Sequence, residues 1–253
     1  MSEEPILELK NISKNFGAVQ ALQGVDMELF KNDVLALVGD NGAGKSTLIK
    51  IISGAFPPSA GTMKIWGEEV HDLNPRKAKD LNIETIHQEL DDVLLERFSV
   101  AENVFLGREI TRESSGPLKV INFSEMKHRV KSVLDRLGIT VGSPSYEVKN
   151  LSGGQRQAVA VARAIYWDAR IIIMDEPTAA LGVEEVNKVL NLISRLHEQG
   201  ATVILISHNL DHVFQVADRV MVLRNGRCVG DHRIDEVTHD QVVSLITGSV
   251  ESL

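Results

Sequence analysis

The segment GDNGAGKST, residues 39–47, constrains the fold more than any other part of the chain, because it directly follows the apolar run VLALV. A continuous run of Val, Leu and Ala predicts a strand that is buried on both faces, as in parallel sheets. The segment begins with the full pattern G-x-x-x-x-G-K-[ST], in which backbone N–H groups surround a phosphate ahead of a helix N-terminus. Helical spacing then continues in KSTLIKIISG. The sequence therefore predicts a strand–loop–helix unit that binds a nucleoside triphosphate.

Each part of this loop has an expected role. The glycines allow several N–H groups to point at one anion. The ammonium group of Lys45 is expected to reach the β- and γ-phosphates, and the hydroxyl of Ser46 is expected to bind Mg²⁺. The predicted phosphate-binding residues are Gly39, Asp40, Asn41, Gly42, Ala43, Gly44, Lys45, Ser46 and Thr47.

A second buried strand is predicted to end in two carboxylates. Residues 171–176 read IIIMDE, which places Asp175 and Glu176 at the strand end where parallel sheets bind ligands. Hydrolysis of a bound triphosphate needs a metal anchor and a group that orients water. We expect Asp175 to hold Mg²⁺ through water and Glu176 to polarise the attacking water. The alternative is an ordinary solvated strand end.

Other patterns outline the remaining elements. Alternation in ILELKNI and ALQGVDMELF predicts antiparallel strands near the N-terminus. Asn225-Gly226 between two alternating runs predicts a hairpin. In the middle of the chain the spacing is helical, and we expect SEMKHRVKSVLDRLG to form a helix with Ser124 as its N-cap. Buried-strand and helix patterns then return in the last third.

Together these patterns predict an α/β fold. A P-loop NTPase core with an antiparallel β layer carries an inserted α-helical sub-domain between two parallel-strand units. We expect one domain over residues 1–253. Its nucleotide-binding core comprises residues 1–87 and 167–253, and the helical sub-domain comprises about residues 88–166.

The segment LSGGQRQAVAVARA, residues 151–164, is the most diagnostic. Together with the P-loop, IHQEL, DEPTAALG and LISHN, in this order, it resembles the ABC ATPases over about residues 5 to 247. A serine before the two glycines is expected to cap the next helix and to form an anion site with their N–H groups. Plain capping without a ligand is the alternative. The resemblance implies that this end completes the ATP site of a second copy in a head-to-tail dimer. The residues implied to bind ATP in trans are Ser152, Gly153, Gly154 and Gln155.

The resemblance implies further roles. Phe16 is implied to stack on adenine, with an ordinary core phenylalanine as the alternative. Gln88 is implied to contact Mg²⁺ and the attacking water, and His208 to contact the γ-phosphate. His208 and His212 are not interpreted as a metal pair, because no third ligand accompanies them. The family usually has Asp where this chain has Gly182, which puts the strength of coupling between the two sites in doubt.

Composition restricts the location and the partners. A net charge of −8 and a pI of about 5.5 argue against a nucleic-acid partner. The single cysteine fits a reducing compartment. No signal peptide is expected, and no apolar stretch approaches the roughly 20 residues that span a bilayer. We therefore expect a peripheral protein at the cytoplasmic face of the inner or plasma membrane.

Among ABC ATPases, the chain is most similar to subunits that energise uptake of simple sugars of the ribose, xylose and fructose type. The segment FSVAENVFLGRE, residues 98–109, is expected to begin a helix with Ser99 as N-cap, at the surface where the family docks its permease. We expect a complete single-half subunit that pairs with a second copy, with integral-membrane permeases and indirectly with a solute-binding protein. A fragment of a longer chain is the alternative. The alternatives are the ATPase of another ABC transporter, an exporter or a non-sugar importer, and a soluble ABC ATPase without transport.

Overall fold

The computed structural model describes residues 4–87, 94–112 and 119–250. These residues divide into two compact units. The core unit comprises Met1–Thr85, Arg170–Glu176 and Leu196–Leu253, and the helical unit comprises Ile86–Ala169 and Pro177–Arg195. No helix within these described residues is long and apolar enough to cross a membrane.

Strands and helices both occur throughout the described chain. The strands are β1 (Leu7–Phe16), β2 (Val19–Leu29), β3 (Val34–Val38), β4 (Ala60–Ile65), β5 (Glu68–Glu69), β6 (Ile83–Ile86), β7 (Thr111–Arg112), β8 (Val120–Ile121), β9 (Ile171–Asp175), β10 (Thr202–Ile206), β11 (Arg219–Arg224) and β12 (Arg227–Arg233). The helices are α1 (Lys45–Ile52), α2 (Pro75–Asp80), α3 (Val100–Phe105), α4 (Phe123–Leu137), α5 (Gly153–Tyr166), α6 (Val183–Glu198), α7 (Leu210–Val216) and α8 (His239–Thr247).

Two sheets form the core unit. The antiparallel sheet has the order β2-β1-β4-β5, and the larger sheet has the order β12-β11-β3-β10-β9-β6. Strand β10 pairs in parallel with β3 on one side and with β9 on the other, so that Ile206 lies opposite both Leu37 and Asp175. Both β3 and β10 are buried along their whole length, as the apolar run in β3 predicts. The carboxyl ends of β3, β10 and β9 therefore lie side by side.

Side chains of β3 point alternately into two apolar layers. Leu35 and Leu37 join a cluster with α1 and the antiparallel sheet, whereas Ala36 and Val38 face α7 and α8. Burial of each Leu or Val side chain of β3 contributes about 1.5–3 kcal/mol to folding. Because both faces are covered, β3 is held rigidly and fixes the start of the loop that follows it.

The predicted hairpin and one helix start can be compared directly with the structure. β11 and β12 pair antiparallel around Asn225 and Gly226, which have φ values of 48° and 77°, so the hairpin is confirmed.

The prediction of Ser124 as the N-cap of α4 is wrong. Asn122 is the N-cap of α4, since its side chain accepts a hydrogen bond from the N–H of Glu125, and Ser124 lies inside the first turn. Either residue type can cap a helix, and the preceding asparagine does so here.

Aromatic packing and capping define the helical unit. Phe105 at the end of α3 packs on Tyr166 and Trp167 at the end of α5, with ring centroids 4.6 Å and 5.7 Å away. The indole N–H of Trp167 donates to the carbonyl of Val104 at 2.7 Å. Ser99 caps α3 as predicted, and it also shares a capping box with Glu102. The end of α5 is therefore fastened to α3.

Candidate functional site

The loop between β3 and α1 presents the free N-terminus of a helix. Gly44 is its N-cap residue with φ of 106°, and no side chain of the described residues caps it. A Cβ at Gly44 would lie 2.8 Å from the carbonyl oxygen of Ala21 and from the side chain of Leu22, so only glycine fits. The first N–H groups of a helix lack partners within it and favour an anion. The loop therefore has the backbone form that binds phosphate.

The Lys45 side chain lies across this loop. Its ammonium group donates to the carbonyl oxygens of Gly39 at 2.6 Å and Asp40 at 2.9 Å. Burial lowers the pKa of Lys45, and the negative charges of Glu176, Asp40 and Asp175 act in the opposite direction. The ammonium group of Lys45 thus lies in the electric field of three carboxylates. A triphosphate bound at the loop would bring further negative charge close to this ammonium group.

Glu176 and His208 follow adjacent strands of the large sheet. Glu176 comes directly after β9, and its N–H donates to the carbonyl of Ile206 at 3.0 Å, which continues the ladder past the strand end. The carboxylate Oε2 of Glu176 lies 2.8 Å from Nδ1 of His208, which is two residues beyond β10. Glu176 has a φ of 51°, a conformation that costs free energy in residues other than glycine and is concentrated at functional sites.

The carboxylate of Asp175 and the hydroxyl of Ser46 supply oxygen atoms in the same unit. Asp175 is the half-buried last residue of β9, and Ser46 is exposed in the first turn of α1. Carboxylate and hydroxyl oxygens are the hard ligands that Mg²⁺ prefers. Gln88, the third residue predicted at this metal site, lies outside the described residues. Among the described residues, no group of three or more His, Cys, Asp or Glu side chains could hold a metal ion.

Phe16 is an exposed aromatic side chain at the end of β1. It is 47% exposed, so the alternative of an ordinary core phenylalanine is wrong. Its ring meets Phe56 edge to face, with centroids 5.3 Å apart. The ammonium group of Lys14 lies 5.3 Å from the ring centroid of Phe16 and 4.8 Å from that of Phe56. It donates a hydrogen bond to the carbonyl of Pro57 at 2.6 Å. Sequence reasoning missed Phe56 and Lys14, because no motif contains them.

Ser152 is the N-cap of α5, as predicted, and lies in the helical unit. Its hydroxyl accepts a hydrogen bond from the N–H of Gln155 at 3.4 Å, and Gln155 Oε1 accepts from the N–H of Ser152 at 3.1 Å, which completes a capping box. The Gln155 amide also donates to the carbonyl of Thr140 at 3.0 Å. Ser152 itself is exposed, whereas Gly154 is buried. This is a second helix N-terminus with a hydroxyl and glycine N–H groups in one place.

Gly182 precedes α6 and takes the N-cap position. Its carbonyl accepts from the N–H groups of Glu185 and Val186, each at 2.9 Å. A Cβ at this position would meet nothing within 4 Å. The absence of a side chain at Gly182 is therefore not required by packing among the described residues.

The buried parallel strands, the glycine loop with Lys45, and the carboxylate–histidine pair define a nucleotide-binding P-loop domain. The chain belongs to the ABC transporter family, whose sequence pattern matches residues 22–179. This membership confirms the predicted fold class, and the chain is an ATP-binding and ATP-hydrolysing domain of that family.

The relatives of this chain include sugar import proteins. It is 45% identical to the xylose/arabinose import ATP-binding protein XylG of Sulfolobus acidocaldarius, over 96% of this chain and 94% of the relative. It is 41% identical to the fructose import ATP-binding protein FrcA of Rhizobium meliloti, over 99% and 97% of the two chains. The ribose import ATP-binding protein RbsA of Geobacillus kaustophilus is also 41% identical, and this chain spans 48% of its length.

Solved structures of ATP-binding cassettes share the fold. A nucleotide-free cassette from an ABC transporter superposes with a TM-score of 0.80 at 26% identity, covering 96% of this chain and 95% of that chain. A dimeric cassette in a post-hydrolysis state, bound to ADP and Pi, superposes with a TM-score of 0.73 at 26% identity, covering 90% and 98% of the two chains.

Proposed function

We propose that this chain is the ATP-hydrolysing subunit of an importer for a simple sugar. The juxtaposition of the Glu176 carboxylate with His208, in the unit that holds Lys45, supports hydrolysis as well as binding. The sugar class is supported by relatives, covered over nearly their whole length, whose names specify import of xylose, arabinose and fructose. Pentose, hexose, polyol and nucleoside importers would all use such a subunit, since it does not contact the cargo.

The proposed roles of the core unit follow from its geometry. The N–H groups at the start of α1 and the ammonium of Lys45 hold the phosphates. Glu176 accepts a hydrogen bond from the attacking water and orients it, while His208 steadies the γ-phosphate. Phe16 stacks on adenine, for which its half-exposed ring is available. In this proposal the loop as a whole, residues 39–47, surrounds the triphosphate.

The residues present fit a Mg²⁺ ion. We propose that Ser46 and Asp175 hold it, together with Gln88, since these groups supply only oxygen donors. The bound ion would supply positive charge against the phosphate oxygens. The chain itself supplies the second cation, Lys45, and the carboxylate that orients water.

The N-terminus of α5 is proposed to bind the nucleotide of a second copy. Ser152, Gly153, Gly154 and Gln155 form an end with a hydroxyl and N–H donors, which suits a γ-phosphate. A related cassette of the same fold forms a dimer with ADP and Pi. Two copies arranged head to tail would place two composite sites between them, and ATP would favour the closed dimer by its higher affinity for that state.

The membrane partners are proposed to dock on the helical unit. α3 is buried at five of its six residues, so its own surface offers little contact area. The segment before it exposes Leu95 and Phe98 at 43% and 40%. We propose that these two side chains contact a permease at the cytoplasmic face of the membrane. A separate solute-binding protein would supply the sugar to the permease.

Transport assays test the proposal. The gene is deleted in its native cell, and uptake of labelled pentoses, hexoses, polyols and nucleosides is compared with that of the parent. We expect uptake of one sugar class to be lost, then restored by the wild-type chain and not by Glu176→Gln. Unchanged uptake of every sugar would overturn the sugar assignment. Co-purification of a tagged chain with soluble proteins alone, ATPase activity being intact, would favour the soluble ABC alternative.

A further inference from the structure

The aromatic ring that is proposed to stack on adenine is held from one side. Phe16 meets the ring of Phe56 edge to face, with centroids 5.3 Å apart. The ammonium nitrogen of Lys14 lies over the ring of Phe16, 5.3 Å from its centroid, and 4.8 Å from the centroid of Phe56. Because these three distances are nearly equal, Phe56 and Lys14 lie in similar directions as seen from Phe16. Neither of them covers the opposite face of the ring, and Phe16 is 47% exposed.

The ammonium group of Lys14 is anchored by one hydrogen bond. It donates to the carbonyl of Pro57 at 2.6 Å, in the segment between α1 and β4. Within the described part of the chain, Lys14 pairs with no carboxylate. Both ring centroids lie within the roughly 6 Å at which a cation is attracted to the face of an aromatic ring. The positive charge of Lys14 is therefore directed at the two rings.

Two further hydrogen bonds hold the same segments together without Lys14. The N–H of Ser59 donates to the carbonyl of Ser13 at 2.7 Å, and the N–H of Asn15 donates to the hydroxyl of Ser59 at 3.0 Å. The end of β1 and the segment before β4 are thus joined even when the side chain of Lys14 carries no charge. The fold does not depend on this ammonium group, whereas the ring of Phe16 lies directly beneath it.

A cation on one side of an aromatic ring changes the other side. The faces of such a ring are negative and its edge is positive. The ammonium group of Lys14 draws the π-electron density of Phe16 toward itself, so the free face repels the π-electrons of a stacked base less. A base bound at that face therefore gains from the charge of Lys14 as well as from the fixed position of the ring.

We propose that Lys14 and Phe56 form a support that holds the ring of Phe16 with one face open for the base of the nucleotide. The proposal rests on the proposed function, in which Phe16 stacks on adenine. Lys14 is a positioning residue, because it acts through the ring and not on the phosphates. It raises the affinity for the base and leaves the affinity of the loop, residues 39–47, for phosphate unchanged.

A simpler role for Lys14 would be to stabilise the core unit. A purely stabilising contact would change the melting temperature and leave the affinities for ATP and for tripolyphosphate in the same ratio, since tripolyphosphate lacks the base. Support of Phe16 predicts a selective loss of ATP affinity when the charge of Lys14 is removed. It also predicts that another cation of similar length restores this affinity.

Calorimetric titration of the full chain with a non-hydrolysable ATP analogue and with tripolyphosphate tests the proposal. Lys14→Met keeps the unbranched stem and removes the charge, whereas Lys14→Arg keeps the charge. We expect Lys14→Met to raise the Kd for the analogue by roughly threefold or more, and that for tripolyphosphate by less than about 1.5-fold. Lys14→Arg is expected to stay within about twofold of the wild type for both ligands, because a guanidinium also binds aromatic faces.

Lys10→Met is the matched control. Lys10 lies on the same strand, and its side chain is 60% exposed. Loss of this exposed charge is expected to leave both Kd values within about 1.5-fold of the wild type. Phe56→Leu removes the second ring, keeps an apolar side chain and is expected to act in the same direction as Lys14→Met. A thermal melt checks that each variant is folded.

The outcomes separate this inference from the stacking on which it rests. If Phe16→Ala weakens binding of the analogue alone while Lys14→Met behaves like Lys10→Met, Phe16 stacks on the base without the support, and the inference is overturned. Equal losses for both ligands in Lys14→Met would also overturn it, since Lys14 would then act on the phosphates or on the fold. If Phe16→Ala leaves the ratio of the two affinities unchanged, the proposed stacking fails, and this inference fails with it.

Discussion

His208 Nδ1 lies 2.8 Å from Glu176 Oε2, and the two residues follow adjacent parallel strands. Their environments differ, because the histidine side chain is 71% exposed and the glutamate side chain 15%. The backbone of Glu176 is fixed by its hydrogen bond to Ile206, whereas the side chain of His208 is mostly exposed. The fixed member of the pair is therefore the better candidate for orienting water.

Glu176→Gln tests that assignment. The amide keeps the size of the side chain and removes the charge that polarises water, so ATP still binds while turnover falls on the order of 10²-fold or more. Steady-state ATPase assays and size-exclusion chromatography with ATP measure both quantities. We expect slow turnover together with a long-lived dimer. Turnover near the wild-type value would remove Glu176 from this role.

His208→Ala is expected to reduce kcat about 10²-fold with little change in thermal stability, because the imidazole is mostly exposed. If the pair acts as one unit, Glu176→Gln with His208→Ala loses no more than the more damaging single change. His71→Ala, at a 77% exposed histidine of the same unit, serves as the control. Losses that multiply in the double variant would show that the two residues act independently.

Lys45→Ala is expected to weaken ATP binding. Loss of charge-assisted hydrogen bonds to phosphate costs about 1.5–3 kcal/mol, which corresponds to roughly 10- to 150-fold in Kd. Lys50→Ala is the matched control, since Lys50 lies on the same helix and is exposed. Calorimetric titration with a non-hydrolysable ATP analogue measures both. Equal affinities in the two variants would count against the phosphate-binding loop.

Most residues of the candidate site could be predicted from short local motifs. The buried run in β3, the glycine loop and the Asp175-Glu176 pair each lie within a few consecutive residues, so their geometry follows from strand and helix rules. The cap at Ser152 was predictable for the same reason, since the N-cap and its partner Gln155 are three residues apart. At α4, the N-cap is Asn122, two residues before the predicted Ser124, and it directly follows Ile121 at the end of β8.

Contacts between distant segments could not be predicted. Glu185 lies against Gly154 only because the start of α6 folds against α5. Phe56 meets Phe16 only through the packing of the core unit, and no pattern in the sequence links the two. The two-residue strands β7 and β8 are too short for alternation to indicate them. The contacts of Glu185 and Phe56 form through tertiary packing, and the strands β7 and β8 are too short to leave a pattern. In none of these cases does the local sequence carry a signal.

Phe16→Ala is expected to weaken ATP binding without unfolding the protein. Stacking of a base on an aromatic ring contributes about 1–3 kcal/mol, which corresponds to roughly 5- to 150-fold in Kd. Phe123→Ala is the control, because Phe123 is 46% exposed against 47% for Phe16. Titration with ATP and with tripolyphosphate separates base from phosphate contacts. Equal losses for both ligands would indicate that Phe16 does not contact the base.

Gly182→Asp tests whether the missing carboxylate limits coupling between the two sites. The new side chain has room, since a Cβ at this position meets nothing within 4 Å, and the backbone is outside the left-handed region. Aspartate at the N-cap of α6 accepts from a first-turn N–H and is expected to add a few tenths of a kcal/mol. We therefore expect a melting temperature raised by about 1 °C and a higher Hill coefficient for ATP hydrolysis.

Gly182→Ala separates the carboxylate from the added Cβ. Alanine is a poor N-cap, so its melting temperature is expected to fall slightly, and its Hill coefficient should equal that of the wild type. ATPase rates over a range of ATP concentrations give the coefficient for all three chains. If Gly182→Asp raises stability but leaves the coefficient unchanged, the aspartate acts only as a cap. The link between the two sites would then depend on contacts that the wild-type chain already makes.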